Sequence, residues 1–275
     1  MPKTTAADKP GRDLEPDHGA RDARRPGSSP AAGILLACAD GRVVTLGGSE
    51  FHGDALDSLL GQPIVAIAST EGGYWLCAGD GAVLTFGAAR FFGAATTTAL
   101  EHPIVAMAAA PDGRGYWLAG ADGALCCYGS AQDHGSARSY PLQQPVAGFA
   151  ATPAGEGYFF VTGDGSVYDF GDASYEGCLR DEQLPAPVVG IAATAADGYW
   201  IACADGTVRA FGSARPLSPA GAGSLRVVSI VATADRDGYW LVGPDGTVAA
   251  AGSAPEPAGP APTLRGHAVV AACAS

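Results

Sequence analysis

From residue 33 onward the chain repeats one sentence, and this constrains its fold more than any other property. "GYWLCAGDGAVLTFG" at 73 to 87 is followed by "GYWLAGADGALCCYG" at 115 to 129 and "GYFFVTGDGSVYDFG" at 157 to 171. "GYWIACADGTVRAFG" at 198 to 212 and "GYWLVGPDGTVAAAG" at 238 to 252 complete the series, which a diverged copy, "GILLACADGRVVTLG", opens at 33 to 47. The Asp-Gly pair inside each copy begins at Asp40, Asp80, Asp122, Asp164, Asp205 and Asp245, so successive spacings are 40, 42, 42, 41 and 40 residues. A period near 41 is too long for a coil of a β-helix and matches one four-stranded blade of a β-propeller.

Each period divides into β elements. "PIVAIAST" at 63 to 70 reads as strand A, "GYWLCAG" as strand B, "AVLTFG" as strand C, and the region of "RFFGAAT" as a weaker outer strand D. Asp-Gly between β-forming segments predicts a type I′ hairpin turn, with positive φ at both central residues. The six aspartates are therefore assigned to turns rather than to a metal or an acid pair. The aromatic column Trp75, Trp117, Trp200 and Trp240, replaced by Phe159 and Leu35, is assigned to packing between blades, because a stacking platform would tolerate Leu poorly.

Strand A recurs at 63, 103, 145, 187 and 227, and once more as "AVVAACAS" at 268 to 275, whereas the first B-C hairpin at 33 has no strand A before it. The two orphans complete each other. The expectation is an all-β, six-bladed β-propeller over residues 31 to 275, closed by the C-terminal strand completing the first blade and leaving no free edge. After Met1, residues 2 to 30 contain one Leu and no other large apolar side chain, so residues 1 to 30 read as a disordered tail.

Composition supports this reading and narrows the partners. The chain has 40 Gly and 20 Pro among 275 residues, is 47% hydrophobic and only 16% charged, a turn-rich, helix-poor balance. Residues 1 to 30 carry a net charge of +1 and the remainder −13, with no run of arginines, so nucleic acid is not expected as a partner. The seven cysteines lack CxxC spacing and read as buried thiols of a reducing compartment. Apolar runs are interrupted within about ten residues, too short to cross a membrane. Arg24-Arg25 and "LLAC" at 35 to 38 imitate export signals, but Cys38 is in register with the repeats.

The phrases "GYWL...DG.V..FG.A" and "P.V.IAAT" resemble a β-propeller repeat family common in actinobacteria, whose recurring phrases are "GYWLVASDGGVFAFGDA" and "PIVGIAATPDG". The resemblance covers the chain after residue 30. It implies a propeller, often attached to secreted or cell-wall-associated enzymes, and no chemistry for the repeats themselves. This chain shows neither a catalytic domain nor a signal peptide, so a cytoplasmic location is expected, with a non-classical export route as the alternative.

No GxSxG, HExxH, P-loop or EF-hand loop occurs, and "ADRDG" at 234 to 238 reads as a turn between strands A and B. His52 and His134 share a repeat column on non-adjacent blades. No catalytic residue, cofactor or metal is expected. One column carries candidates for binding, the residue before strand A: Gln62, His102, Gln144, Ala186, Arg226 and His267. Strand A of a propeller lines the central channel, so this column is expected to ring one of its mouths. The expected function is a monomeric, non-catalytic binding or protein-interaction module. Its partner would be a protein or a small polar or anionic ligand held by Gln62, His102, Gln144, Arg226 and His267. The alternatives are a propeller lyase or hydrolase using His102, His267 and Arg226, and a purely structural subunit.

Overall fold

The computed structural model describes residues 33–97, 100–219, 225–257, 264 and 266–275. The tail expected over residues 1 to 30 lies outside them. Among the described residues, eighteen strands form six three-stranded antiparallel sheets. The first sheet has the order β18-β1-β2, from Val269–Ala274, Ile34–Cys38 and Val43–Leu46. The second comprises β3 (Ile64–Thr70), β4 (Gly73–Ala78) and β5 (Val83–Gly87), and the third β6 (Ile104–Ala109), β7 (Gly115–Gly120) and β8 (Leu125–Gly129). The fourth comprises β9 (Val146–Ala151), β10 (Gly157–Thr162) and β11 (Val167–Gly171). β12 (Val188–Ala193), β13 (Gly198–Cys203) and β14 (Val208–Gly212) form the fifth, and β15 (Ser229–Ala232), β16 (Gly238–Val242) and β17 (Val248–Gly252) the sixth. We refer to these sheets as blades 1 to 6 of a propeller-like arrangement.

The middle strand of every blade is buried along its whole length. It has apolar neighbours on both faces because the blades stack. Trp75 of blade 2 lies against Tyr116 of blade 3, with ring centroids 5.3 Å apart, and Trp200 of blade 5 lies against Tyr239 of blade 6 at 5.2 Å. Each apolar cluster draws on two successive blades, and one of them joins Ile34, Leu36 and Cys38 of blade 1 to Val231, Trp240 and Val242 of blade 6. Within blade 1, β18 pairs with β1 in antiparallel register from Ile34 opposite Ala274 to Cys38 opposite Val269.

Two local expectations are corrected. No strand D forms among the described residues, and the blades have three strands. After strand C the chain crosses toward the next blade and is held there by a tyrosine, not by a ladder. Tyr116 Oη donates to Gly93 O (2.6 Å) and accepts from the N–H groups of Phe92 and Gly93 (both 3.2 Å). Tyr158 Oη likewise donates to Gly135 O and accepts from the His134 N–H, and Tyr199 Oη donates to Gly177 O and accepts from the Glu176 N–H. Gly93 has φ +145°, a conformation outside a strand that L side chains rarely adopt. An added Cβ there would also meet the ring of Tyr128 at 2.3 Å. The tyrosine thus satisfies backbone groups that a fourth strand would have used.

The Asp-Gly turns are not type I′ either. Gly81 has φ +82°, but the preceding Asp80 has negative φ, as do the other turn aspartates. Gly81 N–H donates to Ala78 O, Ala78 N–H to Ala82 O, and Ala82 N–H to Asp80 Oδ1. This is a type I turn followed by a left-handed glycine in a bulge, with the aspartate carboxylate closing the turn from inside.

Candidate functional site

The six inner strands enclose an apolar channel with two cavities. One, of about 170 Å³, is lined by residues at or next to the starts of these strands, among them Val65, Val105, Ala147, Val189, Val228 and Val270. The other, of about 250 Å³, lies at their far ends and is lined by Ser69, Ala109, Ala151, Ala193, Ala232 and Ala274, together with Arg236.

The column expected to ring a mouth does not line either cavity. Gln62, His102, Gln144 and Arg226 are exposed and Ala186 is half-buried. His267 is half-buried with its Nδ1 2.5 Å from Asp40 Oδ2 of the first Asp-Gly turn. No hydrogen bond or ion pair among the described residues joins two members of the column. The cause is local. The proline that follows the column residue in four blades gives its carbonyl to the turn of its own blade, as Gly79 N–H to Pro63 O and Gly163 N–H to Pro145 O. Gln62 and Gln144 accordingly sit beside Gly79 and Gly163.

Arg236 was not among the expected site residues. It occupies the A-B turn of blade 6, where its N–H donates to Thr233 O. The same position in blades 3 and 4 is glycine, Gly113 and Gly155, with φ +65° and +75°. Arg236 takes φ +56° and is the one non-glycine residue with positive φ among the described residues. A side chain held in that region is strained by about 1 kcal/mol or more. Its Nη1 lies 3.2 Å from Ala151 O of blade 4 and 3.4 Å from Ala193 O of blade 5, so the guanidinium crosses the channel mouth. Burial pushes its pKa down from the usual 12.5, yet a guanidinium stays protonated in proteins. None of the ion pairs among the described residues involves it. The sequence signal was "ADRDG" standing where blades 3 and 4 have "PDGRG" and "PAGEG".

Among the described residues no three His, Cys, Asp or Glu side chains come together as a metal site. His52 and His134 give their backbone N–H groups to Tyr74 and Tyr158, which assigns their column to the seams between blades. The buried thiols of Cys38 and Cys77 are pushed up to about 11 and about 12 by desolvation, the reverse of what a nucleophile needs. Among the described residues no helix is long and apolar enough to cross a membrane.

No family model and no curated protein matches the chain. It is similar in structure to a structural genomics protein of unknown function from Bacteroides thetaiotaomicron. The TM-score is 0.53 at 11% sequence identity, over 88% of this chain and 70% of that one. A likeness at that identity speaks for the fold alone.

Proposed function

We propose that the chain is a non-catalytic binding module built on a six-bladed propeller that β18 closes, and that it receives an anionic group at the Arg236 end of the channel. The observation that carries this reading is Arg236 itself, a strained cation in a position built for glycine, aimed across a cavity with no acidic residue in its lining. Strain of this kind persists where the surroundings enforce it, and it gathers at ligand clamps. A carboxylate entering an Ala-lined mouth would meet a guanidinium whose present partners are two neutral carbonyls, and a charged acceptor is the stronger one. The resemblance to the GYWL-type repeats agrees with a propeller lacking chemistry of its own.

A structural reading has one observation in its favour, since the bonds to Ala151 O and Ala193 O brace three blades. The two readings separate in Arg236→Gly, which removes the cation and relieves the strain. In a thermal-shift survey of small mono- and dicarboxylates, the binding reading expects stabilisation of the native protein and its loss in Arg236→Gly. Arg226→Ala, in the polar column, should retain it. A brace alone gives a lower Tm for Arg236→Gly and no carboxylate response in either protein. Loss of the response in Arg226→Ala instead would return the site to the column of Gln62, His102, Gln144, Arg226 and His267.

A further inference from the structure

The tryptophan column has a second regularity. Trp75, Trp117, Trp200 and Trp240 are buried, and each indole N–H donates to the carbonyl 15 residues further on. The acceptors are Arg90 O (2.7 Å), Gln132 O (2.7 Å), Arg215 O (2.8 Å) and Pro255 O (2.9 Å). The ring is therefore a bolt between strand B and the segment that follows strand C. In blades 1 and 4 the bolt is missing, because Leu35 and Phe159 hold the position. The same step of 15 residues leads to Glu50 and Ser174, and among the described residues neither carbonyl receives a hydrogen bond.

A cavity opens at both places. The one in blade 1, about 280 Å³, is lined by Leu35, Glu50 and the next blade's Tyr74. The one in blade 4, about 190 Å³, is lined by Phe159 and Ser174. The Phe159 ring still fills part of the indole footprint and packs on Tyr199 with centroids 4.9 Å apart. Leu35 leaves the larger space.

We propose that the blade 1 cavity is a binding site for an indole-type ligand, a planar aromatic ring carrying an N–H. The ring would take the place that tryptophan fills in four other blades, with Tyr74 on one side and the Glu50 carbonyl accepting the N–H. The molecule supplies its own template. Trp75 meets Tyr116, and Trp200 meets Tyr239, in the geometry that the ligand would share with Tyr74. Glu50 and Glu71 line the cavity, and no Lys or Arg does, so a cationic substituent on the ring suits it better than an anionic one. Leu35 and the Tyr74 ring supply apolar contact for such a ring within an otherwise polar lining.

The test uses the full chain with indole, tryptamine, indole-3-acetate and benzofuran, the last being the isostere without the N–H. Thermal shift and NMR titration should show saturable binding of indole, tighter binding of tryptamine, and binding of benzofuran weaker by about three- to tenfold, the worth of one hydrogen bond. Leu35→Trp should abolish all of it by filling the site, while Phe159→Trp leaves it intact. Should Leu35→Trp fail to fold, the native protein decides, because indole must then perturb the resonances of Leu35 and Tyr74 and not those of Phe159. Absence of saturable binding, unchanged binding in folded Leu35→Trp, or equal affinity for indole and benzofuran would overturn the proposal.

Discussion

The seam between blades 2 and 3 and the seam between blades 6 and 1 are held by different means. At the first, Trp75 packs on Tyr116, the indole is tied to Arg90 O, and Tyr116 Oη holds three backbone groups of the crossing segment. At the second, Ile34 replaces the tyrosine and has no hydroxyl to offer, so Trp240 meets only aliphatic neighbours from blade 1. Blade 1 itself differs from the others in that its ladder joins strands far apart in sequence. β18 runs along β1, Ser275 N–H donates to Gly33 O, Ala39 N–H donates to Ala268 O, and His267 meets Asp40. The comparison teaches that side-chain clips hold successive blades, while a backbone ladder holds the first blade together.

The largest effect should come from breaking that ladder. Deleting residues 268 to 275 removes β18, leaves the buried strand β1 with an open edge, and exposes Ile34, Leu35 and Leu36 of its apolar core. Exposed apolar edges template association. The shortened protein should aggregate, or melt far below the native one, as read by light scattering during a thermal ramp. An unchanged melting curve would show that blade 1 stands without its third strand.

The interior seam should break next. Trp117 is buried between blades 3 and 4, against Phe149 and Tyr158, and its indole donates to Gln132 O. Trp117→Ala should cost about 3 to 5 kcal/mol in denaturant unfolding. A loss below about 1 kcal/mol would mean that the ring is not part of the packing between blades.

The unequal seams also explain what could be read in advance. Strands A, B and C were legible because their apolar runs and Asp-Gly turns recur with one period, and repetition turns six weak signals into one strong one. The fourth strand was misread because "RFFGAAT" has β-forming residues, whereas its backbone is captured by Tyr116, and a partner in the next blade leaves no local trace. The turn type was misread because Asp-Gly suits both a type I′ turn and a type I turn with a bulge. The polar column before strand A stands at exposed loop ends and lines neither channel cavity. Arg236 and Leu35 were visible as broken columns, but their consequences require the geometry that places a glycine φ at one and an indole at the other.

Smaller effects sharpen the contrast between clip and ladder. Tyr116→Phe keeps the ring and removes a hydroxyl with three partners, so it should cost about 1 to 3 kcal/mol. In Tyr239 the hydroxyl donates to Leu217 O (2.8 Å), its one partner among the described residues, and Tyr239→Phe should cost about 1 kcal/mol. Chemical denaturation of both variants measures the difference. Equal losses would place the value of the clip in the ring rather than in the hydroxyl.

The smallest effect concerns acid. In blades 3 and 6 the A-B turn is tied to the end of strand C through a carboxylate. Ser130 Oγ donates to Asp112 Oδ1, while Thr233 Oγ1 and Ser253 Oγ both donate to Asp235 Oδ1. In blade 1 the corresponding tie is Ser49 Oγ to Ser275 Oγ, with no charge. The Thr233 and Ser253 hydroxyls and the Asp237 N–H hold Asp235 below the ordinary 3.8, and the Ser130 hydroxyl and the Arg114 N–H do the same for Asp112. A carboxylate depressed in the folded state adds stability above its unfolded pKa, and this contribution fades as pH falls through the lower, folded value. The native protein should therefore lose this small increment of Tm below about pH 4. Asp235→Asn should be slightly less stable at pH 7 and lose less between pH 5 and pH 2, whereas Ser49→Ala should lower Tm equally at every pH. Parallel Tm-against-pH curves for Asp235→Asn and the native protein would show that the blade 6 tie, like that of blade 1, works without its charge.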